Sequence, residues 1–401
     1  MGLFSAAHPA NPSGRIPDFE YLSEKDIYVD HACQSLRPQP VIDTLNDYFL
    51  KHNACGGRVK YAWGQYVDSQ ISKTRDSVRR FVGAPKHYTV SFTLNTTYGL
   101  NLILSQLPAG YASVVTTDIE HNSVFLSTIE CAKRLGITRH VLPRHDDGSL
   151  LYDKKILERA IIVVNTVSNI DGRKLRNIRE LVADTHAMGG IVIIDAAQTM
   201  SSNVELIRSL DYDALCFSGH KMYAPSLGVV IIKDELLSRL QHYFVGGGMV
   251  HAVNEHSYEL LPDDLSSHLE PGLQDFGAIL ALGRAIEWLE KVRPFGESAK
   301  DYLDKLSTKL FDGITSIDGL SLSHHTASNV ISFYSTKHDA HKLSIYLSAA
   351  GVMSRSGTFC CHYYLNEIKK SPPLIRFSLG LHNTVADIDT ALATLEKVQK
   401  G

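Results

Sequence analysis

The 401 residues predict an α/β protein: a large domain on an open, mostly parallel sheet, then a smaller C-terminal α/β domain. Between Thr89 and Ile232, short apolar runs alternate with helix-length amphipathic segments, the pattern of a sheet covered by helices. The run Ile191-Val-Ile-Ile closes on Asp195-Ala-Ala-Gln198, a buried-type strand ending in a carboxylate. Open parallel sheets gather their chemistry at such strand ends. A third stretch, Ser218-Gly219-His220-Lys221-Met222-Tyr223-Ala224-Pro225, sets a lysine in a small turn before an apolar run resumes at Val229.

The elements follow in order. Residues 1–28 read as an irregular N-terminal arm containing Pro9, Pro12 and Pro17, with a short strand beginning at Ile27. Pro38 to Lys51 has helical spacing through Val41, Leu45, Tyr48 and Phe49, and His52 to Gly64 reads as a Gly- and aromatic-rich loop. Ser72 to Val82 returns to helix. Strands are expected at Thr89–Thr93, Ala112–Thr117, Ile161–Asn165, Ile191–Ile194, Ala214–Ser218 and Val229–Ile232, with helices at Thr97–Leu107, Val124–Leu135 and Asn177–Met188 between them. Residues 29–277 form the expected large domain. A long amphipathic helix from Ala278 to Val292, stopped before Pro294, opens the small domain, 278–401.

Composition narrows the function. A hydrophobic fraction of 44% and a charged fraction of 21% belong to an ordinary soluble globular protein. A net charge of −3 points to neither a nucleic-acid nor an anionic-membrane partner. The apolar runs are strand-length, and the first residues lack the basic and apolar regions of a secretory signal. Six cysteines, at 33, 55, 131, 216, 360 and 361, are not spaced as a disulfide framework, so a cytoplasmic, reducing location is expected. No metal site is expected.

The chemistry-bearing residues cluster around strand ends. Lys221 suits a Schiff base to a phosphorylated aldehyde cofactor, and Asp195 suits that cofactor's pyridinium nitrogen. Phe92-Thr-Leu-Asn95-Thr96-Thr97 joins a strand to a helix N-terminus, where hydroxyls and backbone N–H groups make an anion site. Glu120-His121-Asn122-Ser123 follows another strand, and Asn165-Thr-Val-Ser168-Asn169-Ile-Asp-Gly172 forms a turn after a third. In the small domain, Arg355-Ser-Gly357-Thr-Phe-Cys360-Cys361-His362 and Arg376-Phe-Ser-Leu-Gly-Leu-His-Asn383-Thr384 stand out.

From about Tyr28 to Lys397, these motifs together resemble the class V branch of fold-type I pyridoxal phosphate (PLP) enzymes, within it the cysteine desulfurases and selenocysteine lyases. The Phe-Cys variant is also similar to sulfurases that load molybdenum cofactor. The resemblance implies a seven-stranded-type, mostly parallel sheet and PLP as cofactor. It implies that Thr96, Thr97, Ser218 and His220 hold the phosphate and that His121 lies on the pyridine ring. It further implies that Asn169 and Gln198 approach the ring's phenolic oxygen, Asp195 meets its nitrogen, and Lys221 carries the aldehyde and later moves the Cα proton. Arg376 then grips the substrate carboxylate with Asn169 and Arg355 near it, and Cys360 stands at the sulfur-accepting position.

The implied reaction turns L-cysteine into L-alanine, leaving sulfur on Cys360 as a persulfide. Arg355 is a candidate to favour the thiolate, and His121 or His362 to take its proton; the sequence leaves these open. The alternatives are a class V aminotransferase, another PLP-dependent C–S lyase, or a non-catalytic scaffold in sulfur relay. A homodimer and a sulfur-acceptor protein are the implied partners, with Arg58 in a Gly-rich loop able to reach across subunits. The chain departs from the family pattern in four places. Gly57 stands for a histidine and Leu273 for a threonine; the histidine before the cysteine is missing, and Cys361-His362-Tyr363 replaces Ala-x-Pro.

Overall fold

The structure, a computed structural model, describes residues 14–57 and 59–400. Arg58, Pro9 and Pro12 lie outside the described residues. The chain divides into two compact units. The larger comprises Val41–Val167 and Lys174–Glu287; the smaller comprises the described part of Met1–Pro40, the short segment Ser168–Arg173, and Trp288 onward.

The large unit is built on seven strands: β1 (Tyr88–Thr93), β2 (Ser113–Thr117), β3 (Thr138–Leu142), β4 (Ala160–Asn165), β5 (Ile191–Asp195), β6 (Ala214–Ser218) and β7 (Gly228–Lys233). Their order across the sheet is β1-β7-β6-β5-β4-β2-β3. Neighbours run parallel except at β7, which is antiparallel to both β1 and β6. All residues of β4, β5 and β6 are buried, so these strands read as unbroken apolar runs rather than alternating ones. Each fully buried Val, Leu or Ile contributes roughly 1.5–3 kcal/mol, which makes this sheet the rigid floor of the unit. β3 lacks an apolar signature: its five residues, Thr-Arg-His-Val-Leu, are exposed or half-buried at the sheet edge, and pattern reading passes over it.

Helices cover the sheet at the expected places, with small shifts of their ends. One correction is larger: helix begins at Ala62 and continues to Val82, inside the stretch expected to be loop up to Gly64. Its buried positions, Val67, Thr74, Val78 and Phe81, keep one face on the core even though Trp63 and Tyr66 are exposed. The helix Thr96–Gln106 lies unusually close to the sheet. A Cβ at Gly99 would come within 2.8 Å of Val230 Cγ2 and 3.3 Å of Cys216 Sγ, so only glycine allows that approach. A small hairpin, Val250–Val253 with Tyr258–Leu260, extends from the same unit.

The small unit holds an antiparallel sheet of β8 (Leu320–Leu322), β9 (Val330–Ser335), β10 (Arg355–Gly357) and β11 (Leu374–Ser378), in the order β8-β9-β11-β10. Helices Ala299–Ser316, Ala340–Ala349 and Val385–Lys400 accompany it. The N-terminal segment is integral to this unit. Ile27–Tyr28 pairs in parallel with Val352–Met353, and Arg15 makes a buried bidentate ion pair with Asp387 at 2.7 and 2.9 Å. Among the described residues, no helix is long and apolar enough to cross a membrane.

Candidate active site

In the large unit the expected residues gather at the ends of β1, β2, β5 and β6. Asn95 caps the helix Thr96–Gln106, its Oδ1 accepting from Tyr98 N at 2.9 Å. Thr96 opens that helix beside Ser218 at the end of β6. Its N–H donates to Ser218 Oγ at 2.9 Å, and the two hydroxyls are 2.6 Å apart. Both are buried, whereas Thr97 is exposed one residue further on. Hydroxyls and N–H groups at a helix N-terminus make a cradle for an anion, with the helix dipole adding to it.

His121 caps the helix Asn122–Leu135. Its Nδ1 accepts from Ser123 N at 3.1 Å, so the neutral ring carries its proton on Nε2. Ser123 Oγ lies 2.8 Å from that Nδ1 and 3.4 Å from Asp195 Oδ2, standing between the imidazole and the carboxylate. Asp195 ends β5, and its Oδ1 accepts from Ala197 N at 2.9 Å. Burial pushes the Asp195 carboxyl above its ordinary value, while the Ala197 N–H and the Lys221 charge pull it back. A carboxylate offers about four acceptor positions, so Asp195 retains capacity for a cationic ligand donor. Gln198 lies half-buried in the turn after Asp195, and His220 and Lys221 lie half-buried in the 3₁₀ turn Gly219–Lys221. Two residues beyond the lysine, Tyr223 is fully buried with a left-handed φ of 67°, a strained position for an aromatic residue.

A buried network beneath His121 escaped the sequence reading. Glu120 Oε1 meets Thr117 Oγ1 at 2.5 Å and Arg144 Nη2 at 3.1 Å, while Oε2 accepts from Asn165 N and Nδ2 at 2.8 and 2.7 Å. Arg144 also donates to Asn165 Oδ1 at 2.7 Å. Burial pushes the Glu120 carboxyl up to about 7, against the pull of Arg144 and Thr117. The network ties the ends of β2 and β4 together, and Asn165 is the register partner of Asp195. The adjacency of Glu120 to His121 was its one trace in the sequence.

The small unit holds the other expected residues. Arg376, on β11, is 2% exposed. Its Nη1 donates to the Asn169 carbonyl at 2.9 Å, its Nη2 to Asp30 Oδ1 at 3.0 Å, and its Cζ lies 4.8 Å from the centre of the Phe359 ring. Its Nε–H is buried without an acceptor among the described residues. Asn169 clasps the cysteine loop: Nδ2 donates to the Phe359 carbonyl at 2.8 Å and Oδ1 accepts from Cys361 Sγ at 3.1 Å. Cys361 is therefore buried and bonded, while Cys360 is half-buried. Phe359 and Cys360 take consecutive left-handed conformations, φ 50° and 59°, which re-aim the chain between β10 and the π-helical turn Tyr363–Ile368. Arg355 faces Arg376 in register across β10 and β11 and donates to Cys33 Sγ. His362 is exposed and contacts Thr358 Oγ1 at 3.1 Å. Asp30, Cys33 and Phe359 are partners that sequence reasoning missed, because nothing local ties residue 30 to residue 376.

The chain is similar to known proteins along most of its length. Residues 27–391 match the family described as aminotransferase class-V. A probable cysteine desulfurase of Pyrococcus abyssi is 28% identical over 394 residues, covering 94% of this chain and 96% of the relative. One of Vibrio cholerae is 27% identical over 382 residues, covering 92% and 93%. Among solved structures, the apo cysteine desulfurase of Thermococcus onnurineus superposes with a TM-score of 0.84 at 26% identity, covering 94% of this chain and 95% of that one. Given the match along nearly its whole length, the chain belongs to the aminotransferase class-V family of enzymes.

Proposed function

We propose that the protein is a PLP-dependent cysteine desulfurase that converts L-cysteine to L-alanine and takes the sulfur onto Cys360. The cofactor reading is supported by donor chemistry: a buried carboxylate with acceptor capacity, a lysine whose charge reaches it, and a hydroxyl pair at a helix N-terminus. Bound there, PLP supplies an aldehyde that holds the substrate amine and a ring that takes up electrons from Cα.

The chain's own groups divide the remaining work. Thr96, Ser218 and the helix N-terminus would hold the phosphate, with Thr97 and His220 as further candidates. Asp195 would keep a proton on the ring nitrogen, and His121, Gln198 and Asn169 are the further residues the reading assigns to the ring. Lys221 moves the Cα proton. Arg376 would take the substrate carboxylate through donors that Asn169 and Asp30 leave open, Nε–H among them. The Cys360 thiolate attacks the substrate sulfur; the S–Cβ bond breaks and its electron pair stays with the carbon skeleton. Protonated, that skeleton leaves as L-alanine, and Cys360 carries the extra sulfur as a persulfide.

The observation that carries the sulfur step is the contrast within the cysteine pair: Cys361 is buried and bonded to Asn169, whereas Cys360 is half-buried on a left-handed bend. The test is to incubate the cofactor-loaded protein with L-cysteine and assay alanine and protein-bound persulfide. Alanine with stoichiometric persulfide is expected; a keto-acid requirement, or pyruvate in place of alanine, would replace this reading with the aminotransferase or β-lyase.

The proposed setting is a cytoplasmic homodimer that passes sulfur to an acceptor protein. Exposed apolar residues of the large unit support the dimer: Leu273 is 78% exposed, and Tyr243 and Phe244 are exposed as well. A monomer by light scattering at micromolar concentration, with full activity, would refute it.

A further inference from the structure

We infer that Asp30 weakens the Arg376 clamp, so that an amino-acid product is released readily. This rests on the reading that Arg376 binds the substrate carboxylate.

Arg376 is held on three sides before any ligand arrives: by the Asp30 carboxylate, by the Asn169 carbonyl and by the face of Phe359. Asp30 itself cannot drift. It forms a bridge with Ser378 on β11, His31 N donates to the Ser378 carbonyl at 3.2 Å, and Ala32 N donates to Ser378 Oγ at 2.8 Å. The backbone of Asp30 is thus fastened two residues from the guanidinium that its side chain meets.

Two consequences follow. Asp30 compensates a guanidinium that would otherwise be a buried, uncancelled charge. It also leaves the fork only partly used: Nη2 is engaged by Asp30 and Nη1 by Asn169, while the buried Nε–H has no acceptor among the described residues. A substrate carboxylate must therefore share one cation with a fixed carboxylate, and the two like charges oppose each other across it. Asp30 acts through Arg376; it is a positioning and affinity-setting residue.

The test compares Asp30→Asn and Asp30→Glu in the cofactor-loaded enzyme, at low chloride. Asparagine keeps an oxygen acceptor for Nη2 but removes the charge; glutamate keeps the charge. The readout is the inhibition constant of L-alanine, which has a carboxylate, against that of ethylamine, which does not. Asp30→Asn should tighten L-alanine on the order of tenfold, the effect of one like-charge neighbour at partial screening. Ethylamine should change less than about twofold on the same scale, and Asp30→Glu should stay within about threefold of wild type for both ligands. Unchanged or weakened L-alanine in Asp30→Asn, or an equal shift for both ligands, overturns the inference. Arg376→Met separates the two levels: if it retains L-alanine affinity, the clamp reading itself fails.

Discussion

The Cys361 thiol donates to Asn169 Oδ1 at 3.1 Å, and that bond distinguishes the buried Cys361 from its half-buried neighbour Cys360. Cys360→Ser should abolish persulfide formation, since a hydroxyl cannot accept sulfur, while L-cysteine still binds through Arg376. Cys361→Ala should keep most of the turnover but lose stability by about 1–3 kcal/mol, because Asn169 Oδ1 is left without its donor and the buried sulfur leaves a gap. Turnover and thermal melts of both variants check this; loss of turnover in Cys361→Ala with retention in Cys360→Ser would reverse the assignment.

Lys221→Ala should remove turnover while leaving the fold intact, because Lys221 lies half-buried in a 3₁₀ turn outside the core strands. Borohydride should attach the cofactor to the wild-type peptide containing Lys221. Attachment at another lysine would move the site.

Asp195→Asn should act in opposite directions on stability and on rate. The fold raises the carboxyl's pKa, chiefly by burial, so it favours the neutral form. That stabilisation is complete below the ordinary value of 3.8 and is lost as the pH rises through the raised folded value. At neutral pH the cofactor-free variant should therefore melt above wild type, with the difference closing toward pH 4. Turnover should fall on the order of 10²–10³-fold, the usual loss on removing one electrostatic stabiliser. Calorimetry across pH and a rate assay test both.

Gly99→Ala should destabilise the protein despite alanine's better helix propensity. The propensity gain is about 0.5–1 kcal/mol, whereas overpacking a close contact costs about 1–3 kcal/mol. The new methyl would meet Val230 at 2.8 Å and push the helix away from β6 and β7. Retention of the cofactor should weaken as Thr96 moves from Ser218. A variant that melts higher and holds the cofactor normally would show that the helix adjusts freely.

What the sequence made legible, and what it hid, follows from the range of the interactions. Strands β4, β5 and β6 are buried on both faces and announce themselves as apolar runs, and Asp195 and Ser218 are readable because each closes such a run. Strand β3 was missed because its register partner β2 supplies the burial that its own residues do not show. The start of the helix at Ala62 is hidden in the sequence because exposed aromatics, Trp63 and Tyr66, mask its spacing. Arg376 was singled out by motif, yet its partners Asp30 and Phe359 lie 346 and 17 residues away, at separations where local pattern carries no information. The Glu120–Arg144 pair was hidden for the same reason: charges buried against each other look like surface charges until the strand ends converge.

The composition of the small unit has a consequence for biosynthesis. Its parts come from the beginning, the middle and the end of the chain, with Arg15 joined to Asp387 and Asp30 to Arg376. On the ribosome, the large unit has all seven strands of its central sheet once Lys233 has emerged, and it can begin to fold while translation continues. The segment carrying Arg15 and Asp30, made before the large unit, must wait until Arg376 and Asp387 have been read before its partners exist. A nascent chain released early would carry the strand-end carboxylate and the lysine but no guanidinium at position 376. If Arg376 binds the substrate carboxylate as proposed, such a chain would lack its clamp.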